Sequence, residues 1–426
     1  MAGQFFLYID PGTGSMLFSI LIGIIGVAVY FLRTLFVKIK FIISGGKQAK
    51  LDMGKLPIVI FSDHKRYWNT FEPICDELER RGVEAYFWTA SPDDPALSKG
   101  YEHIKCEFIG EGNKAFSRLN LLNADIVLAT TPSLDVFQWK RSKNVRWYIH
   151  IPHSPGNVNM YRMFGIDYFD AMLLSGKHQE EQTRQLEQLR KLPAKEIELV
   201  GLPYWDELYK RIQTSGSAKH DRLTVLLAPS WGPSSILNVY GEKFIDELIK
   251  TGYDIVIRPH PQSFTADKET MDRLMAKYPD GEKVEWNRDN DNFDILSRAD
   301  ILISDFSGVL FDFSLLFNKP IMYANADINM DPFDAWWIDE TPWTLRILPK
   351  LGKAITSESM GNLKSMIDEC INDPKYAKNR DEVRKDAWQH PGQSASLIAD
   401  YLVRKLEELD QPEQIPDKPE KKEKAS

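Results

Sequence analysis

The chain has 426 residues, 43% of them hydrophobic and 27% charged, with a net charge of -8. That length exceeds what one hydrophobic core usually organises, so two domains are expected, and the composition leaves little room for extensive disorder. The acidic balance argues against a non-specific nucleic-acid binder, which needs a broad basic footprint, and Cys75, Cys106 and Cys370 lack the spacing of a disulfide framework or a zinc site.

After a short amino-terminus (1–15), Met16–Leu32 reads "MLFSILIGIIGVAVYFL", carries no charge, and continues past Arg33 into "TLFV". This predicts a transmembrane helix over 16–37. No Lys or Arg precedes the run, whereas Lys38, Lys40, Lys47, Lys50 and Lys55 follow it. A cleaved signal peptide has the opposite flanks, so the segment is expected to remain as an anchor with residues 1–15 outside the cytoplasm. The mixture of lysines and apolar residues in 38–55 suits a segment in the lipid headgroup region. The expected location is the cell membrane, crossed once, with the rest of the chain cytoplasmic, in agreement with its unpaired thiols.

From residue 56 the pattern alternates. Apolar runs such as "LPIVIFS", "ADIVLATT" and "VRWYIHI" alternate with charged helical stretches, the βα rhythm of a parallel sheet covered by helices. A first Rossmann-like domain is predicted over 56–212, a small polar linker over 213–221, and a second Rossmann-like domain over 222–390. A helix is expected over 391–410 and a disordered tail over 411–426. Two α/β domains on a short linker imply a cleft lined by the carboxyl ends of both sheets, where ligands bind in open α/β folds.

Four strand exits carry polar residues. "VRWYIHIPHSPGNVNMYR" ends a strand with His150 and His153, followed by Ser154, Pro155 and Gly156. Across a cleft, His153 would serve as base for an acceptor hydroxyl, while period-two alternation puts His150 further back as a buried structural group. "LAPSWGPSS" opens the second domain with Ser230, Trp231 and Ser234, contacts for substrate or residues of a plain loop. "YDIVIRPHPQSF" presents Arg258 and His260 two residues apart, stiffened by Pro259 and Pro261, either as phosphate donors on one face or as a strand exit with a surface histidine. "ADILISDFSGVLFDFSLLFNKP" ends a strand at Asp305, with Ser307 and Gly308 opening a helix. Hydroxyls, amides and helix dipole there suit a phosphate, and an ordinary capped helix is the alternative. No carboxylate cluster has metal-ligand spacing and no nucleotide-loop motif is present, so neither metal nor cofactor is expected.

"IRPHP", "ISDFSGVLFDFSLLFNKPIMY", the His-Ser-Pro turn and "VGLPYWDEL" resemble the motif set of the CDP-glycerol glycerophosphotransferase family, the enzymes that build teichoic-acid-like poly(glycerol phosphate) on bacterial membranes. The resemblance runs over about 58–406. It implies a GT-B fold, with the acceptor on the first domain and the donor nucleotide on the second. It also implies transfer of glycerol phosphate from a CDP-alditol donor to a membrane-linked glycan or polymer hydroxyl, with release of CMP. By position, His153 matches the family's base, while Arg258 and His260 match its Arg-x-His-Pro element beside the donor diphosphate. His153 and His260 are thus the candidate catalytic pair, His260 chiefly by binding, and Ser154, Ser230, Arg258, Asp305, Ser307 and Gly308 the candidate substrate contacts. Two departures mark this chain: His153-Ser154-Pro155-Gly156 stands where the family usually has His-Gly-Thr-Pro and then lysine, and Asp305-Phe306-Ser307-Gly308 lacks a second serine. The same architecture also serves sugar-nucleotide glycosyltransferases, and a membrane-tethered, non-catalytic glycan-binding scaffold is the remaining alternative. The sequence leaves a homo-oligomer open.

Overall fold

The computed structural model of the protein describes Leu32 and residues 54–215, 222–281, 283–289, 291–305, 307–324 and 330–411. Apart from Leu32, the predicted span at 16–37 lies outside the described residues, as do residues 1–15, 38–53 and the tail from 412. No helix among the described residues is long and apolar enough to cross a membrane. From Lys55 onward the chain forms one compact unit.

The alternating apolar runs become two all-parallel sheets, as their burial on both faces requires. The first contains β1 (Leu56–Ser62), β2 (Ala85–Thr89), β3 (Ile104–Phe108), β4 (Asn123–Ala129), β5 (Asn144–His150), β6 (Ala171–Leu174) and β7 (Glu196–Leu199), in the order β3-β2-β1-β4-β5-β6-β7. The second contains β8 (Thr224–Leu227), β9 (Asp254–Ile257), β10 (Val284–Trp286), β11 (Ile301–Ser304), β12 (Ile321–Ala324) and β13 (Gly352–Ile355), in the order β10-β9-β8-β11-β12-β13. Both have the doubly wound Rossmann order. The direction of winding reverses between β1 and β4 in one sheet and between β8 and β11 in the other. Crevices at such reversals, beyond the carboxyl ends of the strands, are where these folds bind ligands.

The helix Trp68–Arg80 and the closing helix Ser394–Asp410 cover one face of the first sheet, with Phe71, Ile74, Leu78, Tyr401 and Leu402 packed on Ile58, Ile60 and Ile126. Each of these large apolar side chains contributes about 1.5–3 kcal/mol by leaving water. The chain therefore returns from the second domain to finish the core of the first. Asp206, in the helix Pro203–Thr214, directs that return: its buried carboxylate accepts from Trp388 Nε1 (3.1 Å), Gly392 N (2.8 Å) and Ser394 N (2.9 Å). Gly201 lies at φ +89, and a Cβ there would strike the carbonyl of Gln389, so glycine permits the close approach. The same helix runs through 213 and 214, where the linker was expected to begin, because Ile212 still packs against the second domain's core.

A second connection joins the domains near residues 330–338. Arg162 and Phe333 form an isolated β-bridge, Met163 N donates to Pro332 O (3.2 Å), and Asp334 N donates to Tyr161 O (3.1 Å). Arg190 pairs with both Asp167 and the fully buried Asp334, and Asp334 also accepts from Phe164 N at 3.2 Å.

Candidate active site

The first-domain wall consists of three neighbouring strand exits. β1 runs out into the turn Lys65–Tyr67, held by Arg66 N donating to His64 Nδ1 at 3.1 Å. β4 is followed by Thr130 and β5 by the histidine turn, and Thr130 Oγ1 lies 3.3 Å from His153 Nδ1. The Tyr67 ring packs on that of His153 at 4.7 Å, and the Arg66 guanidinium sits 5.1 Å above Tyr67. Burial, and then the Arg66 charge, push the His153 pKa down to about 4, so the ring is neutral at physiological pH. His150 is fully buried, with Nε2 3.1 Å from the Tyr161 hydroxyl and the ring against Tyr161 and Phe169, as the alternation along β5 predicts.

The turn after His153 is held from below by the helix Lys177–Arg190. Gln179 Nε2 donates to Ser154 O (3.1 Å) and Gly156 O (2.7 Å), and His178 Nε2 donates to Pro155 O (2.8 Å). His178 also stacks on Trp343 of the second domain at 3.9 Å. Ser154 Oγ accepts from Gly156 N at 3.3 Å. Sequence reasoning missed Thr130, His178 and Gln179. "KHQEEQ" reads as an ordinary charged helix start, and only the fold brings its first turn under the histidine turn.

On the second domain, Ser230 lies at the exit of β8. Its amide donates to both carboxylate oxygens of Asp305 (2.9 and 3.1 Å), and Ile236 N donates to Oδ2 (3.1 Å). The buried Asp305 thus organises the loop from β8 across the winding reversal, with its carboxylate turned to the Ser230 and Ile236 amides, where the sequence suggested a substrate contact or, alternatively, a helix cap. Ser230 Oγ is buried and has no partner among the described residues. His260 lies beside Trp231, ring centres 6.4 Å apart, and its Nδ1 accepts from Gln262 N at 3.1 Å, so the proton of the neutral ring sits on Nε2. Burial and Arg66 lower the His260 pKa, and Asp305 opposes them. The charge of Arg66 therefore reaches the histidines of both domains.

Arg258 does not accompany His260. Its guanidinium bonds Asn287 Oδ1 and Asp289 O and lines a separate cavity of about 640 Å³ with Glu72, Arg211 and Asp291. The two-residue alternation expected for 258 and 260 fails because β9 ends at Ile257. Ser307 and Gly308 precede a helical turn at Val309–Phe311 that widens into a π turn over Asp312–Leu316. A cavity of about 380 Å³ joins the two domains: His153, Ser154 and Gly156 line one side, Gly308, Leu310 and Phe311 the other. A neutral imidazole thus shares a partly open, partly apolar cavity with a helical start, an arrangement suited to taking a proton from a hydroxyl that attacks an anionic group.

The buried histidines also set a pH response. His150 (about 3), His153 (about 4) and His178 (about 4) all lie below the ordinary 6.5, chiefly through burial. The unfolded chain binds these protons first, so stability is fully present above pH 6.5 and is lost as pH falls toward 4 and, for His150, 3. Each group contributes up to about 1.4 kcal/mol per pH unit inside its window. Urea midpoints recorded between pH ~7 and ~4.5 should fall steadily, and a flat series would refute these burial effects.

A family profile described as CDP-Glycerol:Poly(glycerophosphate) glycerophosphotransferase matches residues 167–330, a stretch that includes Ser230, Arg258, His260, Asp305, Ser307 and Gly308 and begins after His153 and Ser154. The chain is 31% identical over 208 residues to a teichoic acid glycerol-phosphate primase of Bacillus subtilis (strain 168), covering 47% of this chain and 48% of the relative. It thus spans about half the length of that curated relative. Among solved structures, the wall teichoic acid polymerase TagF with CDPG is similar with a TM-score of 0.53 and 16% identity, over 90% of this chain and 99% of that one. A UDP-GlcNAc 2-epimerase from Neisseria meningitidis, bound to UDP-GlcNAc, gives 0.53 and 12% over 82% of this chain and 100% of that one. Those identities speak to the fold alone, two Rossmann-like halves of the GT-B type. The profile lies on the second domain's strand exits and, with the primase similarity beside it, makes this stretch of the chain similar to the CDP-glycerol:poly(glycerophosphate) glycerophosphotransferase family.

Proposed function

We propose that this protein is a membrane-anchored transferase that moves glycerol phosphate from CDP-glycerol, or a related CDP-alditol, to a hydroxyl of a membrane-linked glycan or teichoic-acid-like polymer. The observation that carries this reading is the neutral His153 opposite Gly308 across the shared cavity. Thr130 Oγ1 lies 3.3 Å from His153 Nδ1, and in this reading the ring proton sits on Nδ1, so that Nε2 carries the lone pair and takes the acceptor's proton. The acceptor oxygen bonds to the β-phosphorus in line, the bond from that phosphorus to the bridging oxygen breaks, and the electron pair leaves on CMP. Charge stabilisation of the diphosphate falls to His260 Nε2–H, the Ser230 hydroxyl, which has no partner among the described residues, and the turn at Ser307 and Gly308. Asp305 acts indirectly, by fixing the Ser230 loop. The primase similarity supports glycerol phosphate as the transferred group. The apolar run at 16–37 with its lysine-rich flank supports a single-pass anchor with the transferase domains in the cytoplasm.

The test uses membranes carrying the full chain, supplied with a lipid-linked acceptor and, in turn, CDP-glycerol, CDP-ribitol and UDP-GlcNAc. CMP release from a CDP-alditol, dependent on acceptor, is expected. Turnover of the UDP-sugar alone would make the protein a sugar-nucleotide enzyme, and donor binding without any release would make it a non-catalytic binding module.

A further inference from the structure

Arg66 differs from three other arginines near the cleft. Arg190 is held by Asp167 and Asp334, Arg211 by Asp291, and Arg258 by Asn287 and Asp289. The adjacent Lys65 is paired with Asp93. Among the described residues, no carboxylate lies within ion-pair distance of the Arg66 guanidinium, and the residue is exposed. It is nevertheless not loose. The turn is fixed by the bond from Arg66 N to His64 Nδ1 and by Lys65 N donating to Ser91 Oγ at 3.0 Å, and the guanidinium rests on Tyr67, whose ring rests on His153. An exposed guanidinium lying over the Tyr67 ring and sharing a side-chain hydrogen bond with it still has donors of its planar fork left for an oxyanion. The turn emerges from β1, at the winding reversal of the first sheet, where such folds bind ligands.

We infer that Arg66 is the first domain's clamp on the transferred phosphoryl group, donating to its non-bridging oxygens from the side opposite His260 and Ser230. This rests on the transferase reading above and adds a residue from outside the profile match to the donor-phosphate contacts. The shared influence of Arg66 on the pKa values of His153 and His260 agrees with a position between the two walls. The second domain would then hold the leaving CMP while Arg66 holds the group that moves, so a productive site needs both domains. That division also predicts selectivity: ligands that lack the second phosphate gain nothing from Arg66.

The experiment measures CDP-glycerol and CMP binding by calorimetry without acceptor, and CMP release with acceptor, for the wild-type chain, Arg66→Ala, Arg66→Gln and Arg66→Lys. Arg66→Ala should lower kcat/KM by about 10²-fold and weaken CDP-glycerol binding, while CMP affinity stays within about twofold. Arg66→Lys should recover part of the rate, because ammonium keeps the charge and loses the fork, and added guanidinium should partly rescue Arg66→Ala. Arg66→Gln preserves the stacked geometry and guards against a folding defect, checked by an unchanged urea midpoint. Equal losses for CDP-glycerol and CMP, or no loss for either in an active protein, would overturn the assignment. A wild-type chain inactive toward every CDP-alditol would instead overturn the transferase reading, and the two failures are therefore distinct.

Discussion

Replacing His153 with alanine is expected to lower CMP release by at least about 10²-fold, and by up to about 10⁴-fold, while leaving CDP-glycerol binding nearly intact. The side chain touches Thr130 and Tyr67 in its own domain, so its removal should leave the walls of the donor site standing. Thr130→Val, which keeps the shape and removes the partner of Nδ1, should give a smaller loss through the wrong tautomer or orientation. The pH dependence separates a base from a binding group. Because the ring of the free protein stays neutral down to about 4, kcat/KM should hold as pH falls through 6.5 and decline only near 4. A rate in His153→Ala equal to wild type would remove His153 from the mechanism and leave the scaffold reading stronger.

Asp334→Ala should be the most damaging single change to stability, at about 3–5 kcal/mol by the urea midpoint. Asp334 is fully buried, pairs with Arg190, and accepts from Phe164 N. Burial raises the pKa values of Asp334 and Asp167 even with Arg190 beside them, so desolvation outweighs the attraction within this cluster. The cluster as a whole therefore adds little net stability, but removing one member leaves Arg190 undercompensated and an amide without its acceptor. The segment around Asp334 also joins the domains through Met163, Tyr161 and Arg162, close to Tyr161 and Phe333 in the cavity lining. Turnover should fall with stability in Asp334→Ala, and Asp334→Asn, which retains an acceptor for Phe164 N, should lose less of both. An alanine variant of wild-type stability would mean that the ionic contact carries no structural load.

The alternation of apolar and charged runs was enough to predict two parallel sheets, because buried parallel strands have a composition that can be read one strand at a time. His153, His260, Ser230 and Asp305 were legible for a related reason: each stands at a strand's carboxyl end beside proline, glycine or serine, a local pattern. What each does there is decided by partners distant in the chain. Asp305 receives amides 75 and 69 residues away, and Arg258 turns to Asn287, 29 residues on. Arg66 lies in "SDHKRYW", which reads as the start of a surface helix; its role as a cleft cation appears only when β1 lies beside β4 and β5 and Tyr67 meets His153. The sequence by itself thus determined the strands, their exits and the kinds of side chain placed there, since these depend on spacing of a few residues. Strand order, the return of the closing helix and the pairing state of each charge were decided only by the tertiary structure, because burial and ion pairing depend on which distant segments share a low-dielectric space.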